Sequence, residues 1–240
     1  MRTPFPRRAL SFATLACLFA ASPMLAHHGK DFLLLETAEL PHPGGVYFVT
    51  SEHYFTTGGE YELEEEPALL VGLAHHWAAE LHAHVAKEDG SSFRFESVAP
   101  TVHYRFWSDE TWSAGATAEY EIARHRDEPD TLVARGVLAR ALGDGVIAFN
   151  AEWDREVRHG DRGFAAFAVG YRPDLEARWS WGIEARAATR HAEPNEVILG
   201  VYGNVADWLA LKVGAGTGFG SGRPDFVLRT GFVIRFSEGR

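Results

Sequence analysis

The chain has 240 residues, 46% of them hydrophobic, and a formal net charge of −10. That length and composition can form a sizeable folded domain, and the acidic balance argues against a nucleic-acid partner, because phosphate binding needs an excess of Lys and Arg. The single cysteine, Cys17, lies close to the N-terminus, so we expect no disulfide in the mature fold.

The first 26 residues have the three parts of a secretory signal peptide. Arg2, Arg7 and Arg8 supply the positive region, residues 9–21 are apolar, and Ala26 offers a cleavage position. The apolar run is shorter than the roughly 20 residues that a membrane-spanning helix needs. We therefore predict that residues 1–26 are a signal peptide and that the mature protein is exported.

Residues 27–45 stand before the first strand-like run. Residues 32–35 (Phe-Leu-Leu-Leu) are too apolar for a free tail in water. Pro41 and Pro43 then turn the chain towards the first strand. We predict that residues 27–45 form a short helix or an extended plug against the periplasmic mouth of the domain that follows.

From residue 46 onward, short amphipathic runs alternate with turns rich in Gly, Pro, Asp and Asn. Twelve strands are predicted, at 46–56, 60–73, 77–87, 92–106, 113–124, 130–142, 145–156, 163–171, 178–190, 194–204, 208–218 and 225–236. Most exceed the mean strand of roughly 5–6 residues in soluble proteins and match the roughly 9–11 that cross a bilayer. This predicts an all-β fold, an antiparallel up-and-down transmembrane β-barrel of about 12 strands over residues 46–236, with 237–240 as a tail.

The last predicted strand shows the two faces most clearly, because side chains alternate along a strand. One face is almost wholly apolar and carries Phe226, Leu228, Thr230, Phe232, Ile234 and Phe236. The other face is partly polar and carries Val227, Arg229, Gly231, Val233 and Arg235. Lipid outside and a polar lumen inside would explain both, which predicts the outer membrane of a Gram-negative bacterium, with both termini in the periplasm.

Two strands depart from simple alternation. Glu65 falls among the outward positions of the second strand unless a bulge shifts the register, and the fourth strand changes phase between Phe95 and Val98.

An aromatic girdle is expected near the membrane–water interface. Its members at the predicted periplasmic turns are Trp77, Trp107, Trp112, Trp179 and Trp208.

The polar faces of the strands predict a heavily charged lumen. The residues that are candidates for lining it and contacting a solute are Glu62, Glu64, Glu66, Glu80, His82, His84, Glu119, Glu121, Glu184, Arg186, Arg229 and Arg235. Salt-bridge networks that fill a narrow barrel explain such residues, because buried charges need partners. A charged constriction that selects solutes explains them too, and the sequence leaves both interpretations open.

Two histidine groups could bind a transition metal through neutral imidazole: His82 and His84, with His103, and the pair His27 and His28. Histidines two residues apart are more commonly ordinary residues on a polar face, so we predict no metal and no cofactor. Catalysis is also not expected, because no His-Xaa-Ser segment occurs, and a charged loop explains His159 with Asp161.

Several stretches resemble an outer-membrane transporter family named for its association with phenol-degradation pathways. They are residues 28–32 (His-Gly-Lys-Asp-Phe), 64–72 (Glu-Glu-Glu-Pro-Ala-Leu-Leu-Val-Gly), 119–123 (Glu-Tyr-Glu-Ile-Ala) and 230–236 (Thr-Gly-Phe-Val-Ile-Arg-Phe). The resemblance covers essentially the whole mature chain and implies an outer-membrane location and a passage role. It carries no site residue to transfer. Such proteins commonly end at the terminal aromatic residue, whereas residues 237–240 follow it here.

The function predicted from the sequence is passage or binding of a small solute through a narrow, charged lumen. The expected partners are outer-membrane lipid, the outer-membrane assembly machinery and the solute. The alternatives are a structural or ligand-binding barrel without transport, a barrel enzyme that acts on lipid or peptide, and a soluble exported β protein.

Overall fold

The computed structural model describes residues 29–125, 128–157, 163–190, 195–220 and 223–238, which contain thirteen strands and no helix. Within this part of the chain, no helix is long and apolar enough to cross a membrane. The strands are β1 (Gly45–Thr57), β2 (Glu60–Glu65), β3 (Ala68–Ala74), β4 (Trp77–Glu88), β5 (Arg94–Ser108), β6 (Trp112–Ala123), β7 (Thr131–Leu142), β8 (Gly145–Glu156), β9 (Phe164–Arg172), β10 (Trp179–Ala188), β11 (Glu196–Ala206), β12 (Leu209–Gly218) and β13 (Phe226–Glu238).

The strands form one antiparallel sheet in which neighbours in the sequence are neighbours in space. β13 pairs with β1 along nearly its whole length, from Gly45 opposite Glu238 to Thr56 opposite Phe226, and this pairing closes the sheet into a barrel. Closure leaves no free sheet edge, which satisfies the backbone hydrogen bonds in lipid. The predicted all-β, up-and-down barrel is confirmed.

β2 and β3 are two halves of one spanning strand, so twelve strands cross the barrel wall. Glu65 lies opposite Glu52 and Ala68 lies opposite Val49, which is the same register on β1 before and after the break. Pro67 stands between the halves, and proline has no N–H with which to continue the ladder. The predicted strand at 60–73 is therefore one spanning strand that Pro67 interrupts.

The two faces of the strands differ as the alternation predicts. Large apolar side chains are exposed around the outside of the barrel, with Leu81 53%, Phe106 59% and Leu199 62% exposed. Residues on the opposite face are buried, such as Ala78 and Ala148, both at 0% exposure. An outward apolar belt with an enclosed inner face is typical of a barrel whose outside contacts lipid.

The predicted phase change in the fourth strand is a β-bulge. His84 pairs with Ser97 but Val85 pairs with Phe95, so Glu96 of β5 is an extra residue. Phe95 is exposed on the outer face, whereas Ser97 is 3% exposed. The bulge thus returns the rest of β5 to the correct face.

The end of the barrel that holds β1's start and β13's end also holds the turns after β3, β5, β7, β9 and β11. Bacterial barrels keep their short turns on the periplasmic side, so this end corresponds to the predicted periplasmic one. Trp77, Trp107, Trp179 and Trp208 are exposed beside these turns, as an interfacial girdle requires. Trp112 stands at the same end and is half-buried beneath the Arg140 guanidinium, 5.1 Å from its ring.

No bulge moves Glu65 inward. It keeps an outward position, opposite Glu52, whose carboxylate accepts a hydrogen bond from the Thr230 hydroxyl. The outer face therefore carries two carboxylates side by side. Like charges directly across a strand pair destabilise a sheet, and charged side chains on the lipid face add a further cost.

Replacing Glu65 with Leu should therefore stabilise the folded barrel by about 1 kcal/mol, because both costs are removed. The measurement is the midpoint of urea unfolding in lipid vesicles, followed by tryptophan fluorescence. Glu60→Leu, at the exposed start of β2, is the matched control and should change the midpoint little. A lower midpoint for Glu65→Leu would show that a stabilising contact holds the carboxylate.

Candidate functional site

Residues 29–40, called the inner segment below, lie inside the barrel. Phe32 and Leu35 pack against buried residues of β7, β8 and β9, and Leu33 packs against Ile198 and Tyr202 of β11. Residues 32–35, the apolar run before the first predicted strand, are thus buried against the inner wall. The inner segment forms bends and irregular backbone with no helix, and it reaches residues within the strands, such as Glu184 and Asn150.

Two glycines of the wall make room for the inner segment. A Cβ atom at Gly170 would lie 2.7 Å from Leu35 Cδ2 and 2.9 Å from Phe32 Cε1. A Cβ atom at Gly214 would lie 2.7 Å from Leu33 Cδ1. Glycine at these two positions lets the apolar side chains approach the sheet backbone closely.

The wall also binds the backbone of the inner segment. The Glu184 carboxylate accepts hydrogen bonds from the N–H groups of Leu33, at 3.0 Å, and Leu34, at 2.6 Å. Asn150 binds residue 36 twice, accepting from its N–H at 2.8 Å and donating to its carbonyl at 2.9 Å. These bonds satisfy peptide groups that burial would otherwise leave unpaired.

Two cations complete this binding. Lys212 Nζ donates to the carbonyls of Lys30, at 3.0 Å, and Phe32, at 2.8 Å. The Arg172 guanidinium donates to the Asp31 carbonyl at 2.5 Å and stacks over the Tyr202 ring, 4.2 Å from its centroid. Side chains from β8, β9, β10 and β12 therefore hold one short stretch of backbone.

A charged cluster lies where the inner segment meets β4, β5 and β7. Lys30 Nζ is 2.6 Å from Glu36 Oε1 and 2.8 Å from Glu80 Oε2. His103 Nε2 is 2.9 Å from the same Glu80 oxygen, and an Arg135 nitrogen is 3.1 Å from Glu36 Oε1. The cluster is largely shielded from solvent, since four of its side chains are at most 16% exposed. These are the side chains of Lys30, Glu36, Glu80 and His103.

Both charges of the inner segment persist at neutral pH. Burial alone would lower the pKa of the Lys30 ammonium, but Glu36 and Glu80 raise it above its ordinary value. Burial alone would raise the pKa of the Glu36 carboxyl, but Lys30, Arg135 and His103 lower it well below its ordinary value. The segment is therefore bound by ion pairs as well as by hydrogen bonds.

The inner segment separates two cavities. The periplasmic cavity, of about 1110 Å³, is lined by Asp31, Thr37 and Glu39 and by residues of the turns after β5, β7, β9 and β11. The other cavity, of about 520 Å³ and called the upper cavity below, is lined by Lys30 and residues 32–36 and by residues of β1, β2, β3, β4, β7, β8, β10, β12 and β13. The segment thus crosses the lumen between its two ends.

The predicted lumen residues lie on the inner side of the barrel wall, with Glu66 in the break between β2 and β3 and the others on strands. Those that line the upper cavity are Glu62, Glu64, Glu66, Glu80, His82, Arg186 and Arg229. Others contact neighbouring wall residues: His84 with Glu96 at 3.8 Å, Glu119 with His82 at 3.7 Å, and Glu121 with Ser97 at 2.5 Å. Glu184 binds the inner segment, and Arg235 lies over the Tyr47 ring at 5.7 Å. Their role towards a solute stays a prediction.

Several contacts between the inner segment and the wall, or within the segment, are made by residues that the sequence analysis did not select. They are Lys30, Glu36, Arg135, Asn150, Arg172 and Lys212. Asn150 and Arg135 do carry a signal, since each is a polar residue at an inward position of its strand. Lys30 and Glu36 carry none, because they lie in irregular backbone.

The histidine candidates do not assemble as proposed for a metal. Among the described residues, the one group of three potential ligands is Glu36, Glu80 and His103, without His82 or His84. The Lys30 ammonium contacts both carboxylates of that group, so a protein cation already lies there. His27 and His28, the predicted signal peptide, and His159 with Asp161 lie outside the described residues.

No protein-family model matches the chain, and no curated protein matches it by sequence. Solved structures match its fold. The COG4313 outer membrane channel from Pseudomonas putida F1 has a TM-score of 0.62 at 11% identity, over 88% of this chain and 100% of that chain. The KdgM porin in complex with disordered oligogalacturonate has 0.57 at 10%, over 79% and 99%. The NanC porin has 0.54 at 11%, over 78% and 98%.

At these identities the comparison shows the fold alone, and that fold is the closed barrel of Gram-negative outer-membrane porins and channels. With the exposed apolar belt, it places the protein in the outer membrane, as predicted. Membership of the phenol-associated transporter family stays a prediction.

Proposed function

We propose that the barrel passes a small solute across the outer membrane, and that the inner segment closes the lumen at rest. The observation that carries this proposal is the position of the segment between the two cavities. Without it, they would join into one path from the periplasmic turns to the other end. The protein acts as a gated passage on this view, not as an enzyme.

The contacts of the inner segment support a reversible closure. Many of them are hydrogen bonds and ion pairs to side chains that are fixed on strands. When the segment leaves, water can hydrate these same groups, so no buried charge is left unpaired. Residues 41–44 would keep the segment tethered to β1 while it moves.

The lumen charges support selection among small solutes. A barrel of twelve spanning strands is intermediate between the roughly 8 that side chains fill and the 16–18 that leave an open channel. Inward acids and bases at the upper cavity would then lie within reach of a permeating molecule. The exposed belt supports lipid as the partner of the outer face, and the terminal aromatic strand supports folding by the outer-membrane assembly machinery.

The second candidate is a ligand-binding barrel without transport. The inner segment lines one side of the upper cavity, and this favours the second candidate, because a pocket that is blocked at one end can hold a ligand without passing it on. The two candidates differ in whether solute crosses the membrane.

Swelling of proteoliposomes separates them. The refolded full chain should speed the swelling of liposomes placed in isotonic solutions of small amino acids or small sugars, relative to empty liposomes. Large dextrans should not enter. A folded barrel that admits none of the small solutes would overturn transport and favour the binding barrel.

A further inference from the structure

The Lys30 ammonium occupies a site for a cation. Its Nζ atom lies 2.6 Å from a Glu36 oxygen and 2.8 Å from a Glu80 oxygen. His103 lies against the same Glu80 oxygen, and ligand atoms of Glu36, Glu80 and His103 lie within 4.8 Å of one another. The chain therefore places its own primary ammonium in a cage of acceptors that can hold one.

The barrel wall supplies half of this cage independently of the inner segment. Glu80 on β4 and His103 on β5 are 7% and 5% exposed, and the Thr117 hydroxyl lies 3.1 Å from His103 Nδ1. Glu36 belongs to the inner segment and would leave together with Lys30. What remains on the wall is a buried carboxylate beside an imidazole, oriented for a positively charged donor.

The upper cavity next to the cage has carboxylates in excess. Within the described part of the chain, no ion pair involves the side chain of Glu62 or Glu66, and Glu64 contacts His53 at 3.1 Å. A solute that approaches Glu80 from this side passes these acids first.

The basic residues of the upper cavity, in contrast, are engaged by the protein. Arg186 pairs with Glu152 at 3.2 Å, and Arg229 pairs with Glu196 at 2.5 Å. Lys212 donates to two carbonyls of the inner segment. Lys212 keeps its charge, because these carbonyls are neutral, but the wall acids Glu62, Glu64 and Glu66 outnumber it, so the cavity attracts cations.

We infer that the solute carries a primary ammonium group and that Lys30 is a tethered competitor for its site at Glu80 and His103. This deepens the proposed passage and rests on it. An incoming ammonium ion would replace Lys30 at Glu80, which removes an ion pair that holds the inner segment. The segment would then be released more often, since a ligand that binds only the released state shifts the population towards it.

The test measures release in the full chain. Ala38 is 4% exposed against the wall, so a cysteine at this position should react with a maleimide only when the segment has left. The predicted mature chain contains no other cysteine. For Ala38→Cys refolded in detergent, n-butylammonium chloride should raise the modification rate severalfold. Sodium butyrate and sodium chloride at the same concentration should not.

Two substitutions identify the site. Lys30→Met should raise the basal rate, because the ion pairs are lost, and should abolish the response to butylammonium, because nothing is left to displace. Glu80→Gln should also weaken the response. Glu62→Gln with Glu66→Gln should shift it to higher amine concentrations, whereas Glu65→Gln, on the outer face of the same spanning strand, should not.

Equal rates in butylammonium and butyrate would overturn the inference, as would an undiminished response in Lys30→Met. Heat-dependent gel mobility confirms that each variant is folded. Solute entry in the swelling assay together with no amine response in this assay would leave the passage standing and remove only the ammonium specificity.

Discussion

Deleting residues 29–38 is expected to raise the single-channel conductance in planar bilayers severalfold over the full chain. The deletion removes the stretch that separates the cavities of about 1110 and 520 Å³, so ions would cross the lumen without waiting for release. The strand ladder does not depend on this stretch, since β1 begins at Gly45 and pairs with β13 from there. The barrel should therefore stay closed as a sheet while its lumen opens.

The deletion stops at residue 38 for a physical reason. Glu39 accepts from Arg105 at 2.9 Å and from the Ser108 hydroxyl at 3.0 Å, and Leu40 packs against the cluster that contains Tyr47. These contacts belong to the periplasmic end of the wall and are kept. The folded state of the shortened chain is checked by its gel mobility before and after heating. A folded barrel with unchanged conductance would refute closure by the inner segment.

The barrel was predictable because its strands are long and their two faces differ in polarity. In β10, Trp179, Trp181 and Ile183 alternate with Ser180 and Glu184, and the structure exposes the first set and buries the second. Lipid on one side and an enclosed lumen on the other impose this alternation on every strand. Alternation of apolar and polar residues with a period of two can be read directly from the sequence.

The break in the second spanning strand was not predicted, although its cause is visible in the sequence. Pro67 lacks the N–H that the ladder needs, so β2 and β3 separate while their register continues on both neighbours. Glu65 was correctly placed on the outer face. Alternation predicts which face Glu65 lies on, but it does not explain why the sheet tolerates a carboxylate on its outer face.

The position of the inner segment could be predicted only in part. The apolar residues 32–35 indicated burial, but irregular backbone has no period from which to derive its contacts. The pairs of Lys30 with Glu80 and of Glu36 with Asn150 join residues that are far apart in the sequence. Such contacts depend on how deep the segment reaches, which the alternation of the strands does not determine.

Replacing Glu184 with Ala is expected to raise the released fraction of the inner segment, and with it the rate of maleimide modification, by about tenfold or more. Its buried carboxylate accepts from the N–H groups of Leu33 and Leu34 and from the Tyr202 hydroxyl. Ala leaves these donors without their acceptor, and an unsatisfied buried group costs about 1–3 kcal/mol. A cost of 1.4 kcal/mol corresponds to a factor of ten in the equilibrium between bound and released segment. Maleimide modification of Ala38→Cys measures the release.

Two further substitutions separate loss of the backbone bonds from a general disturbance of the lumen. Glu184→Gln keeps one carbonyl oxygen that can accept from Leu33 or Leu34, so its release rate should lie between those of the wild type and Glu184→Ala. Tyr202→Phe removes only the hydroxyl donor and leaves both N–H bonds, so its effect should be the smallest. If Tyr202→Phe released the segment as readily as Glu184→Ala, the packing around Tyr202 would be what holds the segment, and the backbone bonds would matter less. If none of the three changed the rate, the ion pairs of Lys30 and Glu36 would have to hold the segment by themselves.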